Sequence, residues 1–429
     1  MLLKLKMHHL GPADEFVLEF GKRLNLITGD NGLGKSFLLD NIWRTITGKW
    51  PAEINKRLPT GLMARPQQNV DADAGIVLTV STETQDHEMY SIFRQNAQTW
   101  IEKKSERDKI TSIVVYALVD GSFAVWDPAR NFWDAEGPER PPAYVFTPNE
   151  VWDGLRDEKR GQLCNGLIAD WAGWQKEKGL PFERLCLALK ALSPSQKEII
   201  KPGPLTRISL DDSRDIPTLK MPYGMDVPVL HASAGMRRII ALAYLLVWCW
   251  EEHNIASKMI GSGTTSQIIF LVDEIEAHLH PKWQRRIIDA LLDVMNSFTD
   301  NASVQLIAAT HSPLVLASVE PTFDNAKDAW FDLDLVTNGE TPLVELTKRP
   351  FIRHGDVCNW LTSEAFDLSS ARSLKAEQAL EKAAGVLRDE TISKEQALSV
   401  YEELRTVLGE TDPFWLHWRY VAEKKGWLA

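Results

Sequence analysis

The sequence predicts an α/β fold built on a largely parallel β-sheet with helices on both faces. An apolar strand at residues 24–28 runs into a glycine-rich turn and then a helix at residues 36–47, where apolar side chains recur every three or four positions. Further along, the unbroken apolar run 268–272 is followed by a helix at 281–295 and another apolar strand at 304–310. Continuous apolar strands that alternate with helices are typical of parallel sheets covered on both faces.

The remaining elements predict three regions. Residues 1–50 and 205–350 form the α/β core, which includes strands at 2–7, 16–20 and 207–210. Residues 51–204 form an inserted lobe of antiparallel strands and helices, because strand patterns at 76–126 give way to helical spacing at 150–195. Residues 351–429 form a helical C-terminal region, in which Ser393 and Gln396 have the spacing of a capping box.

The composition is that of a soluble globular protein. Of the 429 residues, 44% are hydrophobic and 25% are charged, which disfavours disorder and fibrous repeats. The balance of 48 Lys and Arg against 59 Asp and Glu gives a net charge of −11, so we expect any contact with DNA to be confined to a local basic groove. Four widely spaced cysteines and the lack of a run of about 18 to 20 apolar residues predict a cytoplasmic protein without a membrane span.

The glycine-rich turn fits the pattern GxxxxGK[ST], with the strand before it and the helix after it that this pattern requires. Its residues are Gly29, Asp30, Asn31, Gly32, Leu33, Gly34, Lys35 and Ser36. In this geometry, backbone N–H groups and the helix N-terminus surround a polyphosphate, Lys35 reaches the β- and γ-phosphates, and Ser36 binds Mg²⁺. The turn is therefore predicted to be a phosphate-binding loop.

An acidic pair, Asp273 and Glu274, directly follows the apolar strand 268–272. The strand would deliver both carboxylates to the carboxyl edge of the sheet, where open α/β folds bind ligands. Asp273 suits a water-mediated contact with Mg²⁺, and Glu274 suits a general base that orients the attacking water. Because acidic pairs at strand ends are common, this interpretation depends on the phosphate-binding loop.

Histidines mark the next strand end and the segment before it. His311 follows the strand 304–310, where it could hydrogen-bond a γ-phosphate, although a lone histidine is more often structural. His278 and His280 lie close to Glu276, but this group lacks the third ligand and the spacing of a zinc site. We therefore expect a nucleotide role for His311 and no metal at the other two.

The order of these elements resembles that of ABC-type P-loop ATPases, including their SMC, RecF and OLD branches. The resemblance covers about residues 1–50 and 140–320, and it implies ATP and Mg²⁺ as cofactors. It also implies a homodimer, or a higher even-numbered homo-oligomer, in which Ser233 and Gly235 form a signature that contacts ATP on the opposite subunit. This signature keeps its serine and second glycine but lacks the usual leucine, first glycine and glutamine. The alternative is an N-capping serine followed by two solvated arginines, Arg237 and Arg238.

A second departure from the family concerns the glutamine that ABC-type ATPases place after a strand to sense Mg²⁺ and the γ-phosphate. The comparable stretch here, residues 143–149, has no glutamine, so we assign this role to Asn149, with Gln67 and Gln68 as alternatives. The adenine contact is left unassigned.

The stretches 273–281 and 309–315 narrow the resemblance to PtuA-like and OLD-like ATPases of bacterial anti-phage systems, and 146–154 and 412–415 match PtuA-like relatives. The resemblance implies a separate nuclease effector, of HNH type or alternatively of TOPRIM type. Asp332 and Asp334 match the paired aspartates of a TOPRIM domain, but their alternation with apolar residues favours a half-buried strand. We therefore expect an ATPase that regulates a partner effector and has no nuclease activity of its own.

Two other functions remain open from the sequence. A RecF-like or SMC-like ATPase of DNA repair would share the same motifs, although no long heptad run for a coiled coil is present. The nucleotide-binding subunit of a transporter is a further alternative, which the altered signature and the long insertion disfavour.

Overall fold

A computed structural model describes residues 1–67, 74–82, 85–102, 110–131, 140–298, 303–337 and 342–427. The chain divides into two compact units, Met1–Arg353 and His354–Ala429. The strands are β1 (Leu2–Leu10), β2 (Ala13–Glu19), β3 (Leu24–Gly29), β4 (Gly75–Ser81), β5 (Asp86–Arg94), β6 (Thr99–Glu102), β7 (Ile113–Ala117), β8 (Phe123–Trp126), β9 (Tyr144–Phe146), β10 (Leu155–Asp157), β11 (Gly161–Cys164), β12 (Lys201–Pro202), β13 (Thr218–Lys220), β14 (Asp226–Pro228), β15 (Gln267–Val272), β16 (Ser303–Ala309), β17 (Ala329–Thr337) and β18 (Pro342–Arg349).

Helices connect these strands and make up the second unit. They are α1 (Lys35–Thr47), α2 (Pro51–Ile54), α3 (Pro128–Asn131), α4 (Pro148–Asp153), α5 (Leu167–Glu177), α6 (Leu180–Ala191), α7 (Ala234–Ile260), α8 (Pro281–Gln284), α9 (Ile287–Phe298), α10 (Pro313–Val319), α11 (Val357–Leu361), α12 (Leu374–Arg388), α13 (Lys394–Val407) and α14 (Phe414–Lys424). None of the helices among the described residues is long and apolar enough to cross a membrane.

The main sheet has eight strands in the order β18-β17-β3-β16-β15-β7-β8-β9. Its five central strands, from β17 to β7, pair in parallel, and antiparallel strands complete both edges. All five residues of β15 from Ile268 to Val272 are buried. Since successive side chains of a strand point to opposite faces, both faces of the sheet are covered. The predicted α/β fold is confirmed.

A second, antiparallel sheet lies in the same unit, with the strand order β2-β1-β4-β5-β6. Helix α1 packs with both sheets through the side chains that gave its helical periodicity, namely Leu39, Ile42, Trp43 and Ile46, all of which are fully buried. This packing fixes the N-terminus of α1 directly after β3. The fold thereby holds the glycine-rich turn between two rigid elements.

The strands between residues 51 and 204 are divided between the two sheets. Strands β4 to β6 pair with β1 in the antiparallel sheet, whereas β7, β8 and β9 continue the main sheet beyond β15. The sequence of β7 suits its place in the main sheet, because all five of its residues are apolar and buried, as expected for a strand that is covered on both faces. The segment 207–210, predicted as a strand, is irregular and largely exposed. The limits proposed for the three regions stay a prediction.

Helix α7 is held against the main sheet by a buried polar network. Residues 239–250 are buried throughout. One turn further along the helix, His253 Nδ1 lies 2.8 Å from Oδ1 of Asp127, the residue that follows β8. The backbone N–H of Thr265 donates to His253 Nε2 at 2.9 Å. Ser257 Oγ completes a serine, histidine and aspartate arrangement, but all three side chains are buried. This network fastens the helix and has no access for a substrate.

The second unit is helical, as the sequence predicts. Helices α12, α13 and α14 surround a core of small aliphatic and tryptophan side chains, among them Ala383, Leu404 and Trp418, which are fully buried. The capping box predicted at the start of α13 is present, since Ser393 Oγ accepts from the backbone N–H of Gln396, and the Gln396 side chain accepts from the Ser393 N–H. The unit therefore has a core of its own.

Candidate functional site

Three parallel strands end side by side at the carboxyl edge of the main sheet. Strand β16 pairs in parallel with β3 on one side and with β15 on the other. The glycine-rich turn follows β3, the Asp273 and Glu274 pair follows β15, and His311 follows β16. The fold thus brings the three predicted motifs to one edge, where α/β proteins bind ligands.

The glycines of the turn adopt a backbone that other residues avoid. Gly29, Gly32 and Gly34 have φ angles of 129°, 83° and 108°. A Cβ at Gly29 would lie 2.4 Å from the carbonyl oxygen of Leu333, which no side chain tolerates. No side chain caps the start of α1, so its first N–H groups are left for a ligand. This is the geometry of an anion-binding helix N-terminus.

Lys35 is buried and lies over the turn. Its Nζ donates to the carbonyl oxygens of Gly29 at 2.7 Å and of Asp30 at 2.8 Å. Burial lowers the pKa of the lysine, while nearby Asp273 and Asp30 oppose that change. Asp30, Asn31 and Gly32 are exposed along the turn, and Leu33 is buried. A phosphate in the turn would meet both a cation and the open N-terminus of α1.

Ser36 and Asp273 form the part of the site that suits Mg²⁺. Asp273 is 2% exposed, and the Ser36 side chain hydrogen-bonds to its carboxyl group. Burial raises the pKa of Asp273 to about 6, an effect that the hydrogen bond from Ser36 reduces. A hydroxyl and a carboxylate side by side are hard oxygen ligands of the kind that Mg²⁺ takes. The residues present therefore fit the ion that the sequence implies.

Glu274 has an unusual backbone for a residue with a side chain. Its φ is 44°, in the left-handed region that favours glycine. The next residue is fixed to the neighbouring strand, because the N–H of Ile275 donates to the Ala309 carbonyl at 3.2 Å. Glu274 is half-buried at the edge of the sheet. Strained residues of this kind are frequent at active sites.

His311 is positioned by Glu276. The Glu276 carboxylate accepts from Thr310 Oγ1 at 2.8 Å and from the backbone N–H of His311. His311 is half-buried, and burial together with nearby Lys35 lowers its pKa. No pattern in the sequence indicated this role for Glu276. His278 and His280 are exposed, and the described part of the chain contains no group of three His, Cys, Asp or Glu side chains that could hold a metal ion.

Ser233 and Gly235 lie at the start of α7. Ser233 is the N-cap residue and is exposed, and its Oγ accepts from the Met236 N–H at 3.4 Å. Gly235 is buried, and a Cβ there would come within 2.6 Å of the His278 carbonyl oxygen. The capping role considered for Ser233 is therefore present. The predicted contact with ATP on another subunit stays a prediction.

The two arginines after the signature have separate environments. The Arg237 guanidinium lies 5.0 Å from the centre of the Trp152 ring. Arg238 donates to the backbone carbonyls of Val119, Asp273 and Glu274. The contacts of Arg238 do not fit the alternative of a solvated arginine and link α7 to the acidic pair, whereas Arg237 is half-buried beside Trp152.

Asn149 lies away from these residues. It is exposed in the first turn of α4, directly after β9, and β7 and β8 separate β9 from β15. The strand beside β15 is β7 instead, so the strand order does not support the assignment of Asn149 to the site, which stays a prediction. Gln67 Nε2 donates to the carbonyls of Gly11 and Ala13, which gives it a structural role, and Gln68 lies outside the described residues.

A cavity of about 550 Å³ opens beside Ser36 and Asp273. Apolar side chains form most of its wall, and Asp40, one helical turn after Ser36, contributes a carboxylate. The Tyr116 hydroxyl donates to Asp40 Oδ1 at 2.9 Å. Burial raises the pKa of Asp40 to about 7, and nearby Asp273 adds to this rise. No sequence pattern indicated this pair.

The aspartates considered for a TOPRIM site lie on β17, which pairs with β3, the strand that precedes the glycine-rich turn. Asp332 is 1% exposed and accepts from Thr28 Oγ1 at 2.6 Å. Arg349 forms ion pairs with both Asp332 and Asp334. Both residues lie on β17, in agreement with the predicted strand.

Comparison with known proteins places this geometry in a family. A family model described as "AAA domain, putative AbiEii toxin, Type IV TA system" matches residues 24–317. The match covers the turn after β3, the acidic pair and His311.

Curated relatives match shorter segments. "Retron Vc95 probable ATPase" of Vibrio cholerae serotype O1 biovar El Tor is 29% identical over 162 residues, which cover 38% of this chain and 29% of that protein. "Retron Ec83 probable ATPase" of Escherichia coli is 25% identical over 47% of this chain and 33% of its own length. "Septu protein PtuA" of Bacillus mycoides (strain KBAB4) is 37% identical over 84 residues, 20% of this chain and 10% of that protein. The chain thus spans a third or less of these relatives.

Among solved structures, the SMC head domain from Thermotoga maritima gives a TM-score of 0.40 at 13% identity, covering 81% of this chain and 99% of that one. An SmcHead bound to the C-winged helix domain of ScpA gives 0.43 at 14% identity, covering 81% and 98%.

The family and the curated relatives confirm the resemblance to ABC-type P-loop ATPases and to PtuA-like proteins that the motifs predict. Since the family model matches more than half of the residues, the chain belongs to the P-loop ATPase family described as "AAA domain, putative AbiEii toxin, Type IV TA system".

Proposed function

We propose that the protein binds ATP with Mg²⁺ and hydrolyses it to ADP and phosphate at the carboxyl edge of the main sheet. The observation that supports this most strongly is the meeting of the turn after β3, the acidic pair after β15 and His311 after β16 at one edge. "Probable ATPase" in the names of two relatives agrees with this proposal.

Each residue at this edge has a defined role in the proposal. The backbone of residues 29–34 and the N-terminus of α1 bind the phosphates, and Lys35 neutralises the β- and γ-phosphate charge. Ser36 and Asp273 hold Mg²⁺, which screens the phosphate charge when bound. Glu274 orients the attacking water and accepts its proton, and His311 donates a hydrogen bond to the γ-phosphate.

We propose further that two copies assemble head to tail around two ATP molecules. In this arrangement, Ser233 and the helix that it caps face the γ-phosphate bound by the other copy. Two features support it: Ser233 is exposed, and α7 presents its N-terminus there with no acidic residue in its first turn. Hydrolysis would remove the shared phosphate and open the interface, which is a two-state switch.

The switch would regulate a partner in anti-phage defence. We propose a separate nuclease effector, of HNH type in preference to TOPRIM type, since the named relatives belong to retron and Septu proteins. Asp332 is buried, Asp334 is half-buried, and both pair with Arg349, which supports a structural role for them on β17 more than a TOPRIM-like one. The cytoplasm, where ATP is available, would be the site of action.

The proposal is tested by phosphate release and by co-purification. The purified protein should release phosphate from ATP only when Mg²⁺ is present. When it is co-expressed with the product of the neighbouring gene, it should elute with that product in a complex that responds to ATP. Absence of ATP hydrolysis would contradict the enzymatic proposal. Salt-dependent binding to linear DNA without any protein partner would favour a repair ATPase instead.

A further inference from the structure

Arg238 makes contacts that no motif accounts for. Its Nη2 donates to the carbonyl oxygens of Asp273 at 3.1 Å and Glu274 at 3.2 Å, and its Nη1 donates to the carbonyl of Val119 at 3.3 Å. Val119 follows β7, and the acidic pair follows β15. One guanidinium therefore connects the carboxyl ends of the adjacent parallel strands β7 and β15, just beyond their last paired residues.

The same face of α7 touches the loop after β15 at a second place. Gly235 lies three residues before Arg238, so both residues lie on one face of the helix. Gly235 approaches the His278 carbonyl so closely that a Cβ would lie 2.6 Å from it. The first turns of α7 thus run along residues 273–279, and they contact this loop near both of its ends.

Arg238 hydrogen-bonds to the backbone of Glu274, and the conformation of that backbone sets the direction of the Glu274 side chain. Glu274 has a left-handed φ of 44°, and its carbonyl accepts both from Arg238 and from the Ala277 N–H at 2.8 Å. A non-glycine residue keeps such a backbone only where its surroundings hold it. Here two donors on one carbonyl supply that restraint, and one of them comes from α7.

The charges around Arg238 suit this role. Burial lowers the pKa of the Arg238 guanidinium, and the nearby carboxylates of Asp273, Glu274, Glu276 and Asp120 oppose that change. The planar guanidinium can reach carbonyls on two strands at once, which the single ammonium of a lysine cannot do. The neighbouring Arg237 has no such contact and lies over Trp152.

We propose that Arg238 is a positioning residue for ATP hydrolysis, which fixes the backbone of Asp273 and Glu274 and connects it to the signature turn of the same subunit. Ser233 lies five residues earlier, about 7 to 8 Å along the helix axis. A shift of α7 when Ser233 engages the nucleotide of another subunit would therefore move Glu274 in its own subunit. This inference rests on the proposed function, because it requires Glu274 to be the base.

The test compares Arg238→Ala with Arg237→Ala, a neighbouring arginine that lacks the three carbonyl contacts. Arg238→Ala should lower kcat roughly 10-fold to 100-fold, because small displacements of a catalytic group cost that much. The Kd for ATP without Mg²⁺ should change less than about twofold, since Arg238 contacts no residue of the glycine-rich turn. Arg238→Lys should recover part of kcat, and Arg237→Ala should stay near the wild type.

A double variant separates positioning from folding. If Arg238 works mainly through Glu274, adding Arg238→Ala to Glu274→Gln should lower kcat by much less than Arg238→Ala does in the wild type, because the base is already absent and only the contact with Asp273 is lost. Independent losses in the double variant, or equal effects of Arg237→Ala and Arg238→Ala, would overturn the inference. Wild-type hydrolysis by Glu274→Gln alone would instead contradict the proposed function. The three results are distinguishable in one set of measurements.

Discussion

Helices α1 and α7 both begin near the carboxyl edge of the main sheet, yet their N-termini are built differently. The start of α1 has no side-chain cap, follows three glycines with left-handed backbones and is accompanied by the buried Lys35. The start of α7 is capped by the exposed Ser233 and lacks such an enclosing turn. The first can bind phosphate within one chain. The second offers a single exposed hydroxyl, and in the proposed assembly a phosphate bound by another copy completes it.

Removal of the Lys35 charge should have the largest effect. Lys35→Ala leaves the glycine turn without the only side-chain cation that the motif supplies, so we expect ATP binding to weaken at least about 100-fold and hydrolysis to disappear. Lys49→Ala, at an exposed lysine just after α1, is the matched control and should bind normally. Calorimetric titration with ATP measures both. Unchanged affinity in Lys35→Ala would mean that the turn does not bind the phosphates.

Changes at Ser233 should affect assembly and spare binding by the single chain. Asp and Asn both cap helices about as well as Ser, so Ser233→Asp and Ser233→Asn should each keep α7 intact. Ser233→Asp places a negative charge against the opposite γ-phosphate, and we expect it to abolish dimers formed with ATP. Ser233→Asn should retain most of them. If both variants dimerise equally, Ser233 serves only as a cap.

The smallest effect is expected at Asp40, beside the phosphate site, and it concerns the stability of the fold as the pH changes. Its folded-state pKa is raised from 3.8 to about 7, so the folded protein holds this proton more strongly than the unfolded chain. The ionised carboxylate therefore destabilises the fold progressively as the pH rises from about 4 to 7, and fully above that range. Asp40→Asn removes this cost and keeps an acceptor for the Tyr116 hydroxyl.

We expect Asp40→Asn to stabilise the ligand-free protein by about 1 to 2 kcal/mol at pH 8, less than the full pKa difference because the cavity admits water. This corresponds to a rise in Tm of roughly 1 to 3 °C at pH 8, less than half of that rise at pH 5 and almost none at pH 3. Calorimetric melting at pH 8 and pH 5 measures the difference. Equal changes in Tm at both values would show that the carboxylate charge has no such effect.

The sequence predicts the parts of this site that are local. The spacing of the residues from Gly29 to Ser36 identifies the phosphate-binding loop, and apolar periodicity predicts the strand before it and the helix after it. Asp273, Glu274 and His311 could be assigned because parallel strands end at one edge of a sheet. Each of these inferences uses residues that are close in sequence, or a rule that holds for every α/β sheet.

The parts that the sequence misses depend on strand order and on contacts between distant segments. Asn149 follows a buried strand just as the family pattern requires, but only the sheet shows that β7, not β9, lies beside β15. Arg238 contacts the carbonyl of a residue 36 positions away in the chain. Because every residue has a backbone carbonyl, the sequence does not show which one accepts the hydrogen bond. Glu276 likewise binds through a loop geometry that spacing does not encode.

The central claim is that ATP joins two copies through the N-terminus of α7, and light scattering of Glu274→Gln tests it most directly. This variant should bind ATP and hydrolyse it slowly, so with ATP and Mg²⁺ its mass should rise from 48.5 kDa to twice that value. Adding Lys35→Ala or Ser233→Asp should return it to the monomer. A mass that stays at one chain with bound ATP, or hydrolysis at the wild-type rate, would contradict the account.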